Sequence, residues 1–422
     1  MKKQPYLNIF LLTVMALFLF ASCEKDEVII PGLQPTYTIE ETTIQGNSLF
    51  RITGAINESI TLTADKDYIL SGLVFVEDTL SIEPGTTIYA ETSSPTALIV
   101  SRKADIQASG NANNPIVFTS ISKLTGTPVA GDWAGLHING QATLNQRSTN
   151  LVDAIGKYGR TDVQADDTDH SGELKYVRIE YAGKVLGASS GAVNFNGVGN
   201  TTELDYIQVY QSLGHGIRFR GGTVRLKHAI STQTLGKAYR WDAGWRGLGQ
   251  FWVAHYPQTT QDTLTGIEGR SGAPENTPVS NPILSNVTIV GLGSNSSDPQ
   301  IRGIRLRDST HGKIYNSLLT QCRRAIRADY SATLINNQQL IFSHNNLFDN
   351  GPDYYDGTTS NASLFSDPSF QNEQTPAAMN GFVGVSQGNT LPIPNVDPWF
   401  DPVSFKGAVP PGNNWTSNWA LE

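Results

Sequence analysis

Residues 191–231 read GAVNFNGVGNTTELDYIQVYQSLGHGIRFRGGTVRLKHAIS, and the stretch repeats itself. GAVNFNG and GIRFRGG are each a glycine-led strand with apolar residues at alternate positions and a glycine turn behind. YIQVYQS and TVRLKHAIS then follow as a second strand type. Alternation of this kind buries one face of a strand. Ile217 and Phe219 therefore point into a core, while Arg218 and Arg220 point out. Two strand types recurring in one order are the mark of a solenoid.

The same units recur along the chain. GLHING (135–140), GIRLRDS (303–309) and AIRADYS (325–331) extend the first type. YVRIEYAG (176–183), NVTIVG (286–291), NSLLTQ (316–321) and NNLFDN (345–350) extend the second. Asn286, Asn316 and Asn345 open three of these units, a pattern expected where a corner amide bonds to the next coil. Hairpin signals are sparse, Asn139-Gly140 and Asn196-Gly197 being the main ones, which argues against a sandwich. Leucine-rich spacing is absent. A propeller stays open as the alternative, without a blade-length aromatic signature to support it. The fold expected is an all-β, right-handed parallel β-helix over 46–350, with roughly ten to fourteen coils of about 20 to 30 residues. Thr149–Gly172 and Thr259–Pro282 interrupt the repeat as loop insertions. Residues 351–422 are expected to form an irregular C-terminal cap with loops, shielding the last strand edges.

The chain begins MKKQPYLNIFLLTVMALFLFASC. Lys2 and Lys3 precede a short apolar run and small residues, the pattern of a signal peptide over 1–22. Phe20-Ala21-Ser22-Cys23 resembles a bacterial lipobox, so Cys23 is the expected lipidation site and 23–45 a flexible tether. CEKDE resembles the acidic surface-export signal of Bacteroidota lipoproteins, which implies a lipid-anchored protein on the outer face of the outer membrane. Cys322 is then left without a disulfide partner and reads as a small buried hydrophobe. The formal charge of −8 becomes −10 once Lys2 and Lys3 leave with residues 1–22, which hold no acid. That balance argues against a nucleic-acid partner.

ELKYVRIEYAG (173–183), the opening stretch, ADIQASGNANNPIVFTS (104–120), GDWAGLHINGQATLN (131–145) and FDPVSFKGAVPPGNNWTSNWALE (400–422) together resemble one family. It comprises exported Bacteroidota lipoproteins with a pectin-lyase-like β-helix, related to an outer-membrane lipoprotein group of spirochaetes. The resemblance implies fold and envelope location and brings no settled activity. Where the family tends to carry aspartates, at LGHG (213–216) and GKAYRW (236–241), this chain has His215, Lys237 and Arg240, so a cation site there is not expected.

Three groups are candidates for a site. Arg218, Arg305 and Arg327 would form a basic strip if their strands share a sheet, suited to carboxylates or sulfates of an acidic glycan. The plainer alternative is a solvated face paired to Asp308 and Asp329. Tyr239, Trp241 and Trp245 lie in an aromatic cluster that would either stack on sugar rings or pack in the core. Asp166, Asp167, Asp169 and Glu173 could supply oxygens to calcium, although the spacing is not that of an EF-hand and a surface turn would explain it too. No other cofactor is indicated. GxSxG, P-loop, dinucleotide and HExxH patterns are absent, and the scattered histidines read as structural. The function expected is a surface-anchored binding or scaffold module with a glycan or an outer-membrane protein as partner. The rival is a polysaccharide lyase or hydrolase.

Overall fold

A computed structural model describes residues 37–145, 152–187, 190–256, 264–294, 302–329, 331–351, 354–356, 359–360 and 367–422. Cys23 and the segment before residue 37 lie outside these, as do parts of both loop insertions.

Each turn of the chain lays one short strand on a front sheet and one long or two short strands on a back sheet. The front sheet runs through Ala55–Ile56, Leu73–Val76, Ala97–Val100, Gly135–Asn139, Gly191–Asn196 and His215–Arg220. It continues through Lys237–Asp242, Thr265–Gly269, Arg302–Leu306, Arg324–Ala328 and Tyr354–Asp356. It has twelve strands; the last, Thr359–Ser360, is antiparallel, which leaves eleven parallel rungs. The back sheet has seventeen strands. The solenoid is a right-handed parallel β-helix.

Register explains the core. Ile217, Tyr239, Ile267, Ile304 and Ile326 stack in one inward column. Phe195, Phe219, Trp241, Gly269 and Leu306 stack in the next. All belong to, or line, one continuous apolar interior. Cys322 is buried within it, and burial pushes its thiol up to about 12.

The long back-sheet strands bend in the middle, and the bend has its own column. Tyr176, Tyr206, His228, Phe251, Asn286 and Asn316 all take positive φ there. A left-handed turn costs a non-glycine residue roughly 1–2 kcal/mol. Stacking offsets part of it, at about 0.5–1.5 kcal/mol per aromatic pair. Tyr176 and Tyr206 stack at 4.2 Å, Tyr206 and His228 at 4.3 Å, and His228 and Phe251 at 4.8 Å.

Both ends depart from expectation. Thr38–Ile44 is a strand, paired antiparallel with Asn47–Thr53, so the folded body begins inside the stretch assigned to the tether. The segment from 367 to the C-terminus does more than cap. Glu373 bridges to Asn346 on the last coil, and the chain then runs back along the outside of the back sheet as a strap. Four side-chain amides grip its backbone, each both donating to and accepting from one residue. Asn346 holds Thr375, Asn316 holds Leu391, Gln250 holds Asp401 and Gln208 holds Leu421. Trp415 and Trp419 set their edges against the aromatic column. The three corner asparagines therefore divide. Asn345 does bond to the neighbouring coil, through Ile314 O and Ser317 N. Asn286 does both, accepting from Gln250 Nε2 on the coil before and donating to Phe405 O of the strap, while Asn316 faces the strap at Leu391.

Asn316→Ala leaves both backbone groups of Leu391 without partners and removes a residue suited to positive φ. We expect a loss of about 2 kcal/mol, read as a lower urea midpoint, with faster proteolysis after residue 367. An unchanged midpoint would mean that the strap is not held there.

Candidate functional site: a cationic face on the front sheet

Outward positions of the front sheet form three parallel columns across five rungs. The middle one reads Arg218, Arg240, Glu268, Arg305, Arg327. One flank carries Lys237, Thr265, Arg302 and Arg324 beside His215. The other carries Arg220 opposite Asp242, then Arg270, Arg307 and Asp329. Among the described residues, ten lysines and arginines thus share this face with four carboxylates, Asp308 included. The chain as a whole carries −8, so cations have been gathered here.

Pairing is uneven along the face. At the Arg218 end, charge is matched: Arg218 Nη2 lies 2.6 Å from Asp242 Oδ2, and Arg240 Nε 3.4 Å from the same oxygen. Burial alone would raise the Asp242 carboxyl, but Arg218, Arg240 and Arg220 outweigh it and hold it at about 2. Arg220 is clasped by Tyr158, whose hydroxyl accepts at 2.7 Å and whose ring lies under the guanidinium. In the centre the match is loose. Glu268 is nearly buried and meets Arg240 only at 3.8 Å and Arg305 at 3.6 Å. The Nε of Arg305 is buried and accepted by nothing. Lys237 Nζ has no hydrogen bond or ion pair among the described residues. Burial, with Arg240, Arg305 and Arg302 nearby, lowers its pKa against the pull of Glu268. Burial and then Arg305, Arg327 and Arg324 bring Arg302 down to about 10. Arg327 pairs with Asp329 at 3.2 Å, while Arg270 and Arg307 share Asp308. Such a centre is preorganised to receive an anion.

The three arginines of the expected strip therefore lie on one column. Arg218 is nearly buried and committed to Asp242, whereas Arg305 and Arg327 keep about a fifth of their side chains exposed. Lys237, Arg240, Glu268 and Arg302 belong to the same face and were not among the expected site residues. The available signal was the alignment of KAYRWDA and GIEGRSG with GIRFRGG and GIRLRDS. Ile267-Glu268-Gly269-Arg270 looks like a chance protease tetrapeptide until it is set on this register.

Tyr239, Trp241 and Trp245 correct the expectation of a sugar-stacking surface. All three are essentially fully buried. Their polar atoms are satisfied inside, Tyr239 Oη by Val253 O, Trp241 Nε1 by Thr310 Oγ1 and Trp245 Nε1 by Val224 O. Their rings stack with Phe219 and Trp252 in the solenoid. They are core.

The calcium loop is corrected too. Asp166 accepts from Thr168, Asp167 from Thr143 N and Arg246, Asp169 from Ser171, and Glu173 from Ser109 on another coil. No group of three or more His, Cys, Asp or Glu among the described residues could hold a metal ion. Asp167 ties the insertion to Thr143 and Arg246, while Asp166 and Asp169 close local turns; Ile155 and Tyr158 of the insertion pack with Leu144 over Ala97, Ile99 and Ala134. The insertion covers the earlier rungs of the front sheet.

A parallel β-helix with a basic, acid-poor face defines the class. The chain belongs to the family of pectate-lyase-like β-helix domains, whose model matches residues 54–419. No curated protein and no solved structure gives a significant match.

His215 makes this face sensitive to acid. Arg240 Nη1 donates to its Nε2 at 2.8 Å, which requires a neutral ring. Burial, Arg240, Arg218 and Lys237 hold its pKa well below 6.5, and burial takes His255 to about 4. A histidine with a depressed folded pKa takes its proton more readily in the unfolded chain. Stability is therefore complete above the unfolded value and lost as pH falls through it towards the folded one, by roughly 3 kcal/mol for His255. Urea midpoints should fall between pH 7 and pH ~4.5. His215→Gln should fall less than the parent, and an equal fall would show that His215 does not contribute.

Proposed function

We propose that the protein is a non-catalytic binding module for an acidic glycan, gripped through the cationic front face and displayed at the outer membrane by a lipid anchor on Cys23. The observation that carries this reading is the in-register cluster of Lys237, Arg240, Arg302, Arg305 and Arg327, which outnumbers its described acids Asp242, Glu268 and Asp329. Like charges opposite one another on neighbouring strands destabilise a sheet, so an external anion bound here would relieve that repulsion. Guanidinium forks suit the planar carboxylates and sulfates of a uronate or sulfated chain. An outer-membrane protein partner could share the anchor side of the molecule, and the signal-like N-terminus supports export.

Lys237, with its lowered pKa and no ion pair, is the group on this face closest in character to a general base. That favours one second reading, a β-elimination lyase acting on the same acidic glycan. Formation of unsaturated uronate, followed by ultraviolet absorbance, would replace the binding reading by that one.

Polygalacturonate and heparin should bind the full chain in detergent saturably, and more weakly as salt rises. Arg305→Ala and Arg327→Ala should each weaken binding roughly five- to tenfold, with little change in melting temperature, since relief of repulsion from the neighbouring cations is offset by loss of the pairings with Glu268 and Asp329. Equal affinity for single-stranded DNA, or no effect of either substitution, would overturn the glycan assignment.

A further inference from the structure

The cationic face is uneven along the solenoid axis as well as across it. The flank that runs from Arg220 to Asp329 supplies its own acids. Asp242 pairs with Arg218, Asp308 with Arg270 and Arg307, and Asp329 with Arg327. An anion from outside therefore meets chiefly the other two columns. They set Lys237, Thr265, Arg302 and Arg324 beside Arg240, Glu268, Arg305 and Arg327.

These two columns do not present charge evenly from rung to rung. Lys237 and Arg240 give one rung two cations, Arg302 and Arg305 another, and Arg324 and Arg327 the next. Between the first and second of these lies the rung of Thr265 and Glu268, which has none. Both of its side chains are buried, and the Glu268 carboxylate lies 3.8 Å from Arg240 and 3.6 Å from Arg305. The cationic rungs on either side are thus two rungs apart, about 9.6 Å at the usual strand spacing. A carboxylate sits midway between them.

This order constrains a ligand. The strands here are only five or six residues long, while the cations stack along the axis, so a chain-like anion touches most of them by lying along the axis. An extended pyranose chain advances by close to one rung per sugar. A sugar whose acid meets Lys237 and Arg240 is then followed by one over Thr265 and Glu268. A third sugar meets Arg302 and Arg305, with Arg324 and Arg327 on the rung beyond. A carboxylate on the middle sugar would face Glu268, and that like-charge contact weakens binding. A hydroxyl or amide group there carries no such penalty.

We propose that the glycan held on this face carries its acid on alternate sugars, and that Glu268 sets the repeat by excluding an acid from the middle position. The inference rests on the reading of the face as a glycan site and selects among acidic glycans. Homopolymeric uronates, with an acid on every sugar, are the disfavoured class.

Two hexasaccharides of equal length test this by calorimetric titration into the full chain in detergent. One comes from hyaluronan, in which a uronate alternates with a neutral N-acetylated sugar. The other is hexagalacturonate, which carries twice the charge. Attraction to a basic surface by net charge alone favours the denser ligand. The hyaluronan fragment should nevertheless bind about tenfold more tightly. Glu268→Gln should bring hexagalacturonate to within about threefold of it. Thr265→Lys adds a cation to the same rung and keeps the Glu268 ion pairs, so it reads the same shift if Glu268→Gln folds poorly. Equal or tighter binding of hexagalacturonate to the parent would overturn the alternating repeat and leave the glycan reading standing. An unchanged preference in both variants would also overturn it. Absence of binding by either hexasaccharide would overturn both the repeat and the glycan reading.

Discussion

Parallel stacking in register governs this molecule. Rungs lie about 4.8 Å apart, so each side chain rests on its counterpart in the coil before and after. Where the residue type gains from touching its own kind, the column is stable, as with the rings of Tyr176, Tyr206, His228 and Phe251. Where it does not, the column carries a cost. Arg218, Arg240, Arg305 and Arg327 share one column with Glu268 as its only acid. A scaffold free to choose would interleave the signs. Glu268 interrupts the column between Arg240 and Arg305 at 3.6–3.8 Å, whereas Asp242 on the flank meets Arg218 at 2.6 Å, so the charges are matched more tightly at the Arg218 end than in the centre.

The same constraint fixes volume inside the coil. Trp241 occupies an inward position directly over Gly269, and a Cβ on Gly269 would collide with its indole. Within one strand, a Cβ on Gly249 would likewise collide with the ring of Trp252, three residues on. A large ring in one coil thus requires a glycine nearby, and the two must change together. The aromatic density of residues 239–252 is therefore a packing solution, with Phe219, Tyr239, Trp245 and Trp252 stacked through the interior. No ring is left over for a ligand.

Much of this was legible because alternation and repetition are local. GIRFRGG and GIRLRDS show which residues face out, and the register supplies the shared sheet on which a strip of Arg218, Arg305 and Arg327 was conditional. LGKAYRWDAGWRG was harder. Tyr239 and Trp241 take the places of Ile217 and Phe219 in the rung before, but the change of size disguised an ordinary rung as an interruption. The strap was not legible at all. Its contacts join Gln208 to Leu421 and Gln250 to Asp401, and a carboxamide that pairs with a distant backbone leaves no periodic trace. The acidic insertion misled for a related reason: Asp167 and Asp169 are close in sequence, yet each is consumed by a different element.

Coverage then decides where function can sit. The strap lies over the back sheet, with Phe382, Ala408, Val409 and Trp419 packed on Ile230, Phe251 and Val253. The insertion lies over the early front sheet, with Leu144, Ile155 and Tyr158 packed on Ala97 and Ile99. Both coverings are apolar on their inner side and fastened by hydrogen bonds to the coils. Beyond Tyr158 the apolar contact ends, and the outward column that runs Phe75, Ile99, His137, Asn194 turns to arginine at Arg218. An apolar cover could not seat on that surface without burying unpaired charge. The arginines thus set the later half of the front sheet apart from the two apolar coverings among the described residues, which is what a surface needs if it is to receive an acidic partner from outside.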